Sequence, residues 1–285
     1  MQAGLIGLGA MGAPMARNLA RAGYLAAVWN RTGARAETFA HELSVTCASD
    51  PAKLAGLVDV IFVCVSADAD VLEMIEAMRP ALQKGQVVID VSTVSSDTAR
   101  KAAAMLAPGG AAFLDAPVSG GVEGARKGTL AMMVGGDETV LNRIRPLLAA
   151  ISGRIVHMGA VGAGQGAKAV NQVMAAGINQ AVTEALAFGQ AQALDMEKLV
   201  EVISGGAAGN WFLEHRGLTM AQGRYSPGFK LALHHKDLKI CRRMMNDLGV
   251  HAELVEKTLT EYAELMTQGH GDEDISALYR LKRPR

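Results

Sequence analysis

The sequence predicts an α/β chain: a doubly wound parallel sheet over residues 1–162, then an all-α domain over residues 163–285, with a long helix joining them. Three observations predict it. Short aliphatic runs alternate with longer helix-like segments up to about residue 158, the pattern of parallel strands wrapped by helices. After Gly166 the alternation stops and the chain reads as helix after helix. The 285 residues, half of them hydrophobic, suffice for one large or two moderate cores.

Taken in order, the expected strands are Ala3 to Leu8, Leu25 to Asn30, Val60 to Val65, Val87 to Val91, Phe113 to Ala116, Ala131 to Val134 and Ile155 to His157. They are rich in Val and Ile on both faces, as a sheet covered on both sides requires. Gly159 to Gly166 marks the boundary. Beyond it, Ala167 to Leu194 has no Pro and sets Val170, Met174, Ile178 and Ala181 at helical spacing, which predicts one long helix packed along a neighbour in the same or another subunit. The Ala and Met content favours a homodimer or homotetramer.

Composition removes several classes of function. Lys plus Arg and Asp plus Glu number 28 each, so no global field favours nucleic acid or an anionic membrane. The longest apolar stretch, Val58 to Val65, is far short of the roughly 20 residues that span a bilayer. The start runs into a glycine-rich turn without a basic leader, so a cytoplasmic location is the expectation. Cys47, Cys64 and Cys241 form no CxxC pair and read as reduced, buried thiols, and the scattered histidines offer no metal site.

Gly7, Gly9 and Gly12 form GxGxxG between an apolar strand and a helix that begins near Met11. In that context the first glycine permits a tight turn, the second admits a pyrophosphate to the backbone, and the third lets helix and strand pack closely. Gly7, Gly9, Ala10, Met11 and Gly12 are therefore the expected phosphate cradle of a Rossmann-type domain. The second strand ends Asn30, Arg31, Thr32, with Asn30 eighteen residues past Gly12, where an NAD site usually offers a carboxylate to the ribose. None stands there. Arg31 can give charge-assisted hydrogen bonds to a 2′-phosphate and Asn30 and Thr32 neutral ones, so NADP(H) is preferred and NAD(H) stays possible.

Three further segments carry chemistry: Asp115 to Gly121, Gly162 to Gln172, and Lys236, Asp237, Leu238 after Pro227 to Lys230. With the N-terminal GLIGLGAMG, these resemble the β-hydroxyacid dehydrogenase family of 3-hydroxyisobutyrate dehydrogenase, tartronate semialdehyde reductase and the glyoxylate and succinic semialdehyde reductases, over nearly the whole chain. From the residues alone, Lys168 in the first turn of a helix is disfavoured as an ammonium by the dipole and by partial burial, which suits proton exchange with a carbonyl or hydroxyl oxygen. The resemblance implies the same catalytic role.

Asn171 shares a helix face with Lys168 and can orient the substrate, although in some family members the matching amide falls at the position of Gln172; which of the two serves stays open. Ser119, Gly120 and Gly121 have the hydroxyl and unobstructed N–H groups that grip a small carboxylate substrate. The resemblance implies that role, places Thr93 near nicotinamide and substrate, and sets Val65 and Ser66 on the adenosine side. It also implies that Lys236 reaches the cofactor, that Asp237 supports the catalytic cluster and that Phe229 packs nearby; Trp211, in the Gly205 to Phe212 segment, reads equally as a shaper of the substrate pocket or as a core tryptophan.

The expected activity is thus hydride transfer between NADP(H) and a small β-hydroxy acid or its semialdehyde. An NAD-dependent 3-hydroxyisobutyrate-type dehydrogenase is the alternative within the chemistry. A non-catalytic dinucleotide-binding module is the alternative outside it, and would have no need of Lys168.

Overall fold

The computed structural model describes residues 1–283, which fall into two compact units, Met1–Lys168 and Ala169–Arg285. The first unit runs β1 (Ala3–Ile6), α1 (Gly12–Arg21), β2 (Leu25–Trp29), α2 (Gly33–Leu43), β3 (Thr46–Cys47), α3 (Pro51–Ala55), β4 (Val60–Val63), α4 (Asp68–Met78), β5 (Val87–Asp90), α5 (Ser96–Leu106), β6 (Ala112–Asp115), β7 (Val118–Ser119), α6 (Gly121–Lys127), β8 (Leu130–Gly135), α7 (Glu138–Leu148) and β9 (Ser152–Gly159). The strands lie in the order β3-β2-β1-β4-β5-β6-β8-β7, with β9 on β8. Register carries the aliphatic runs across the sheet: Leu5 pairs Val28 and Phe62, and Phe62 pairs Ile89. Leu5, Val28, Phe62, Ile89 and Leu114 feed one core, while Ile6, Ala27, Ile61, Val88 and Phe113 feed another. Alternate residues thus bury against helices on opposite faces, which is why the strands read as continuous apolar runs.

The sheet is not wholly parallel. β8 runs antiparallel to β6 and to the two-residue β7, and neither β7 nor the equally short β3 was legible as a strand. Two residues carry too little alternation to register as a period. Cys47, expected to be buried, lies exposed on β3.

The long helix, α8 (Ala163–Ala191), starts four residues before the expected position because Gly164 and Gly166 lie within its first turn, while Gly162, at φ +94°, stands in the turn that precedes it. Its first residues pack with the first unit, and its remainder opens the second with α9 (Met196–Ser204), α10 (Trp211–Ala221), α11 (Leu231–Asp247), α12 (Glu253–Thr267) and α13 (Tyr279–Lys282). Ala176, Val182, Leu186 and Ala187 enter the core of that unit with Leu238, Val255 and Tyr262. Of the stripe singled out by periodicity, Ile178 packs against this core while Val170, Met174 and Ala181 are exposed, Val170 at 64% and Met174 at 62%; Phe188, farther along the helix, is 68% exposed. No helix among the described residues is long and apolar enough to cross a membrane.

The second and third glycines of the motif give a direct test of the turn. A Cβ on Gly12 would lie 1.9 Å from the Gly7 carbonyl oxygen, whereas one on Gly9 would meet nothing within 4 Å. Gly12→Ala should therefore lower the melting temperature by several degrees, the effect of an overpacked backbone contact costing about 1–3 kcal/mol, and Gly9→Ala should melt like the parent. Equal melting curves for the two variants in calorimetry would reject this reading.

Candidate active site

The glycine loop has the form that a dinucleotide needs. Gly7 adopts φ +96°, and a Cβ there would come within 2.1 Å of the Cys64 carbonyl, so the loop passes against the end of β4 where only a glycine fits. Helix α1 follows with no side-chain cap at Met11 and no acidic residue in its first turn. α3, α5, α7, α9 and α10, by contrast, all carry side-chain caps. Uncapped N–H groups beside the open face of Gly9 fit a pyrophosphate.

At the end of β2, the Asn30 Oδ1 accepts from the Leu8 N–H at 3.0 Å and its Nδ2 donates to the Thr32 carbonyl at 3.2 Å, so this amide ties the glycine loop to the next turn. Arg31 is highly exposed and sits 3.4 Å from Asp70 at the start of α4. Thr32 is the N-cap of α2 but makes no side-chain cap bond, and α2 has no acidic residue in its first turn.

The C-terminal ends of β4, β5 and β6 are stitched together beneath the predicted ligands. The Ser92 N–H donates to Asp90 at 2.9 Å, and the Ser92 Oγ accepts from the Val65 N–H at 3.0 Å, so Val65 and the Thr93 segment are held as one. Ser66 is exposed beyond them. Asp115, in register with Asp90 on the neighbouring strand, accepts the N–H groups of Gly162 and Gln165 at 2.7 and 2.8 Å. This carboxylate fastens the start of α8 to the strand from which Ser119, Gly120 and Gly121 depart. Ser119 lies half-buried on β7, and Gly120 and Gly121 take φ +124° and +60° as α6 begins.

Lys168 is buried, at 7% exposure, in the second turn of α8 rather than the first. Helix-end electrostatics fade within the first turn, and the carboxylate of Asp115 occupies that end, so the helix dipole does not act on Lys168 as a first-turn residue.

In the second unit, Asn171 and Gln172 are no longer equivalent. Gln172 is 2% exposed; its Nε2 donates to Asp237 at 2.7 Å and its Oε1 accepts from the Asn171 Nδ2 at 2.9 Å. Both ends of the Gln172 amide are engaged inside this unit, one of them by half-buried Asn171. The other carboxylate oxygen of Asp237 faces the Lys236 Nζ at 3.0 Å. The Phe229 N–H donates to Asp274, and its ring lies 5.3 Å from that of His234. Trp211, the first residue of α10, is 58% exposed and stacks on His215.

Comparison with known proteins decides the family. Residues 2–159 match the model for the NAD-binding domain of 6-phosphogluconate dehydrogenase, and residues 162–282 match that for the NAD-binding domain of NADP-dependent 3-hydroxyisobutyrate dehydrogenase. The chain is 36% identical over 254 residues to 2-hydroxy-3-oxopropionate reductase of Escherichia coli, covering 88% of this chain and 86% of that one. It is 34% identical to the NAD-dependent L-serine dehydrogenase of Pseudomonas aeruginosa, over 99% of this chain and 98% of that one. The solved structure of Mycobacterium tuberculosis 3-hydroxyisobutyrate dehydrogenase with L-serine superposes with a TM-score of 0.90 at 33% identity over 100% of both chains.

The chain belongs to the β-hydroxyacid dehydrogenase family. It is an NAD(P)-dependent oxidoreductase of the 3-hydroxyisobutyrate dehydrogenase type.

Within this dehydrogenase, sequence reasoning missed Asp90 as a separate feature. A carboxylate closing an otherwise aliphatic strand was the available signal, since burial there demands a partner. Asp90 is fully buried, its second carboxylate oxygen has no hydrogen-bond partner, and burial, opposed by the Ser92 hydrogen bonds, pushes its pKa up to about 7. Between the unfolded carboxylate value, about 4, and that raised value, the folded chain holds a proton that the unfolded chain has released. Stability should then fall as pH rises through that window, by at most about 1.4 kcal/mol per pH unit, and level off above it. Asp90→Asn keeps the acceptor for Ser92 and should flatten this slope. Denaturation midpoints of both proteins at pH 5 to 8 check it, a constant difference between them being the contrary result.

Proposed function

We propose that the chain transfers a hydride between NADP(H) and a small β-hydroxy acid or its semialdehyde, with Lys168 as general acid and base. The observation that carries this reading is the Asp115 anchor. It fixes the beginning of the Lys168 helix to the β6 end beside the Thr93 segment and the Ser119–Gly121 turn, within one compact unit. When bound, the nicotinamide supplies or accepts the hydride. Lys168 donates a proton to the substrate carbonyl oxygen in reduction and removes it from the hydroxyl in oxidation, so one buried amine serves both directions. Ser119 and the N–H groups of Gly120 and Gly121 hold the substrate carboxylate, and Asn171 orients the hydroxyl.

The NADP(H) preference is supported by what surrounds Arg31. Its pairing with Asp70 is solvent-exposed and worth about 1 kcal/mol or less, so a 2′-phosphate can replace the carboxylate, with the uncapped start of α2 and Thr32 adding donors. The relatives named for 2-hydroxy-3-oxopropionate, 3-hydroxyisobutyrate and L-serine direct the substrate search toward three- and four-carbon acids with an oxygen at C3.

Nicotinamide absorbance with both cofactors against glyoxylate and succinic, tartronate and methylmalonate semialdehydes, and against 3-hydroxyisobutyrate and L-serine in oxidation, tests the activity. Lys168→Ala should lose roughly 10²- to 10⁴-fold in kcat with cofactor binding retained. Near-native turnover of that variant would remove Lys168 from the chemistry, and silence of the parent across the panel would favour a binding module. Arg31→Glu should raise the KM for NADPH about tenfold or more while sparing NADH. An unmodified chain that saturates with NADH more tightly than with NADPH would reverse the preference.

The exposed Val170, Met174 and Phe188 on α8 further support a homo-oligomer, because a helix face of large apolar side chains gains by burial against a second copy. Light scattering should give a multiple of 29.8 kDa, reduced by Phe188→Glu; a monomer at micromolar concentration is the adverse outcome.

A further inference from the structure

Gln165 has no part in the reading above, yet it is 1% exposed and every polar atom at its tip is engaged across more than seventy residues of sequence. Its Nε2 donates to the Ser92 carbonyl at 2.9 Å, and its Oε1 accepts the Val94 N–H at 3.2 Å. The amide therefore grips the backbone on both sides of Thr93. Ser92 and Val94 are buried while Thr93 between them is half-buried. The backbone of the same residue is held by Asp115, and one turn earlier the Ser96 hydroxyl donates to the Gly162 carbonyl at 2.8 Å. Lys168 stands three residues beyond Gln165, one turn along the same helix.

We propose that Gln165 is a positioning residue whose two-point clasp fixes Thr93 relative to Lys168. This inference rests on the proposed role of Lys168. The physical case is rigidity: the segment after β5 has no regular structure of its own over Val91–Ser95, so its geometry must be imposed by side chains. A carboxamide offers a donor and an acceptor from one uncharged tip, which matches a carbonyl and an N–H two residues apart. Glutamate in its place would accept from Val94 but turn a second acceptor toward Ser92 until protonated. The carboxyls of Asp90, of Asp115 and of Asp68, which accepts from Ser95, and the amine of Lys168 one turn along α8 are ionisable groups around this cluster. Displacement of a reacting group by an ångström costs up to about 10²-fold in rate, which sets the scale of the effect.

The experiment compares the full-length chain with Gln165→Met, which keeps the shape and loses both bonds, and with Gln165→Glu, on whichever substrate of the panel the parent turns over. Gln165→Met should lose between about 10- and 100-fold in kcat. The NADPH dissociation constant by fluorescence titration should stay within about twofold and the isotope effect with 4-deuterated NADPH should rise, because hydride transfer becomes slower while binding is spared. Amide exchange should increase at Val94. Gln165→Glu should regain activity relative to the parent as pH falls and its carboxyl, whose pKa burial and the neighbouring Asp115 raise, takes up a proton and becomes a donor. Native kcat in Gln165→Met, or a loss confined to cofactor affinity, overturns the clasp and leaves the proposed function standing. A parent inactive on the whole panel overturns the proposed function and the catalytic meaning of the clasp together.

Discussion

The structure depends on a carboxylate buried at the end of β6. Asp115 is fully enclosed, and burial raises its pKa against the pull of the N–H groups of Gly162 and Gln165. Taking a carboxylate out of water costs several kcal/mol, and hydrogen bonds to a charged acceptor return about 1.5–3 kcal/mol each, so the arrangement holds only while α8 starts at that point. Its surroundings are shaped to match. A Cβ on Gly135 would lie 2.4 Å from its Oδ1, and one on Gly164 would lie 2.5 Å from its carbonyl oxygen. Gly135 and Gly164 are thus sites where backbone and carboxylate meet too closely for any side chain.

This constraint explains why the predicted residues are brought together where they are. Strand ends in a parallel sheet leave backbone groups without ladder partners, and here short polar side chains take them up: Asn30 after β2, Ser92 after β5 and Asp115 at the end of β6. Each satisfies a loop. The glycine loop, open at Gly9, and Arg31 face outward, and these fit the chemistry of a nucleotide-dependent dehydrogenase.

The second unit solves a similar problem with a buried chain of polar side chains. Asn179 donates to the Tyr262 hydroxyl and to the Ile275 carbonyl, Tyr262 lies 3.1 Å from His234, His234 meets the Gln172 carbonyl, and Gln172 reaches Asp237. Burial drives the Tyr262 hydroxyl far above its ordinary range, so it remains a neutral donor and acceptor in this chain. Such a network fixes side-chain directions because each member left unpaired would cost about 1–3 kcal/mol. It orients Gln172 into the core of its own unit and so distinguishes it from Asn171.

Residue chemistry alone determined the dinucleotide loop, the absence of a carboxylate after β2, the candidate lysine and the change from strands to helices, because these follow from local steric and charge requirements that a short window contains. Tertiary structure alone decided which polar side chains the fold itself engages, as with Asn30 and Gln172, since that depends on partners dozens of residues away. It also decided that Val170, Met174 and Phe188 face outward and that β8 runs against β6. Periodicity identifies an apolar face but not what lies opposite it, and a strand's direction is set by the connection that delivers it to the sheet.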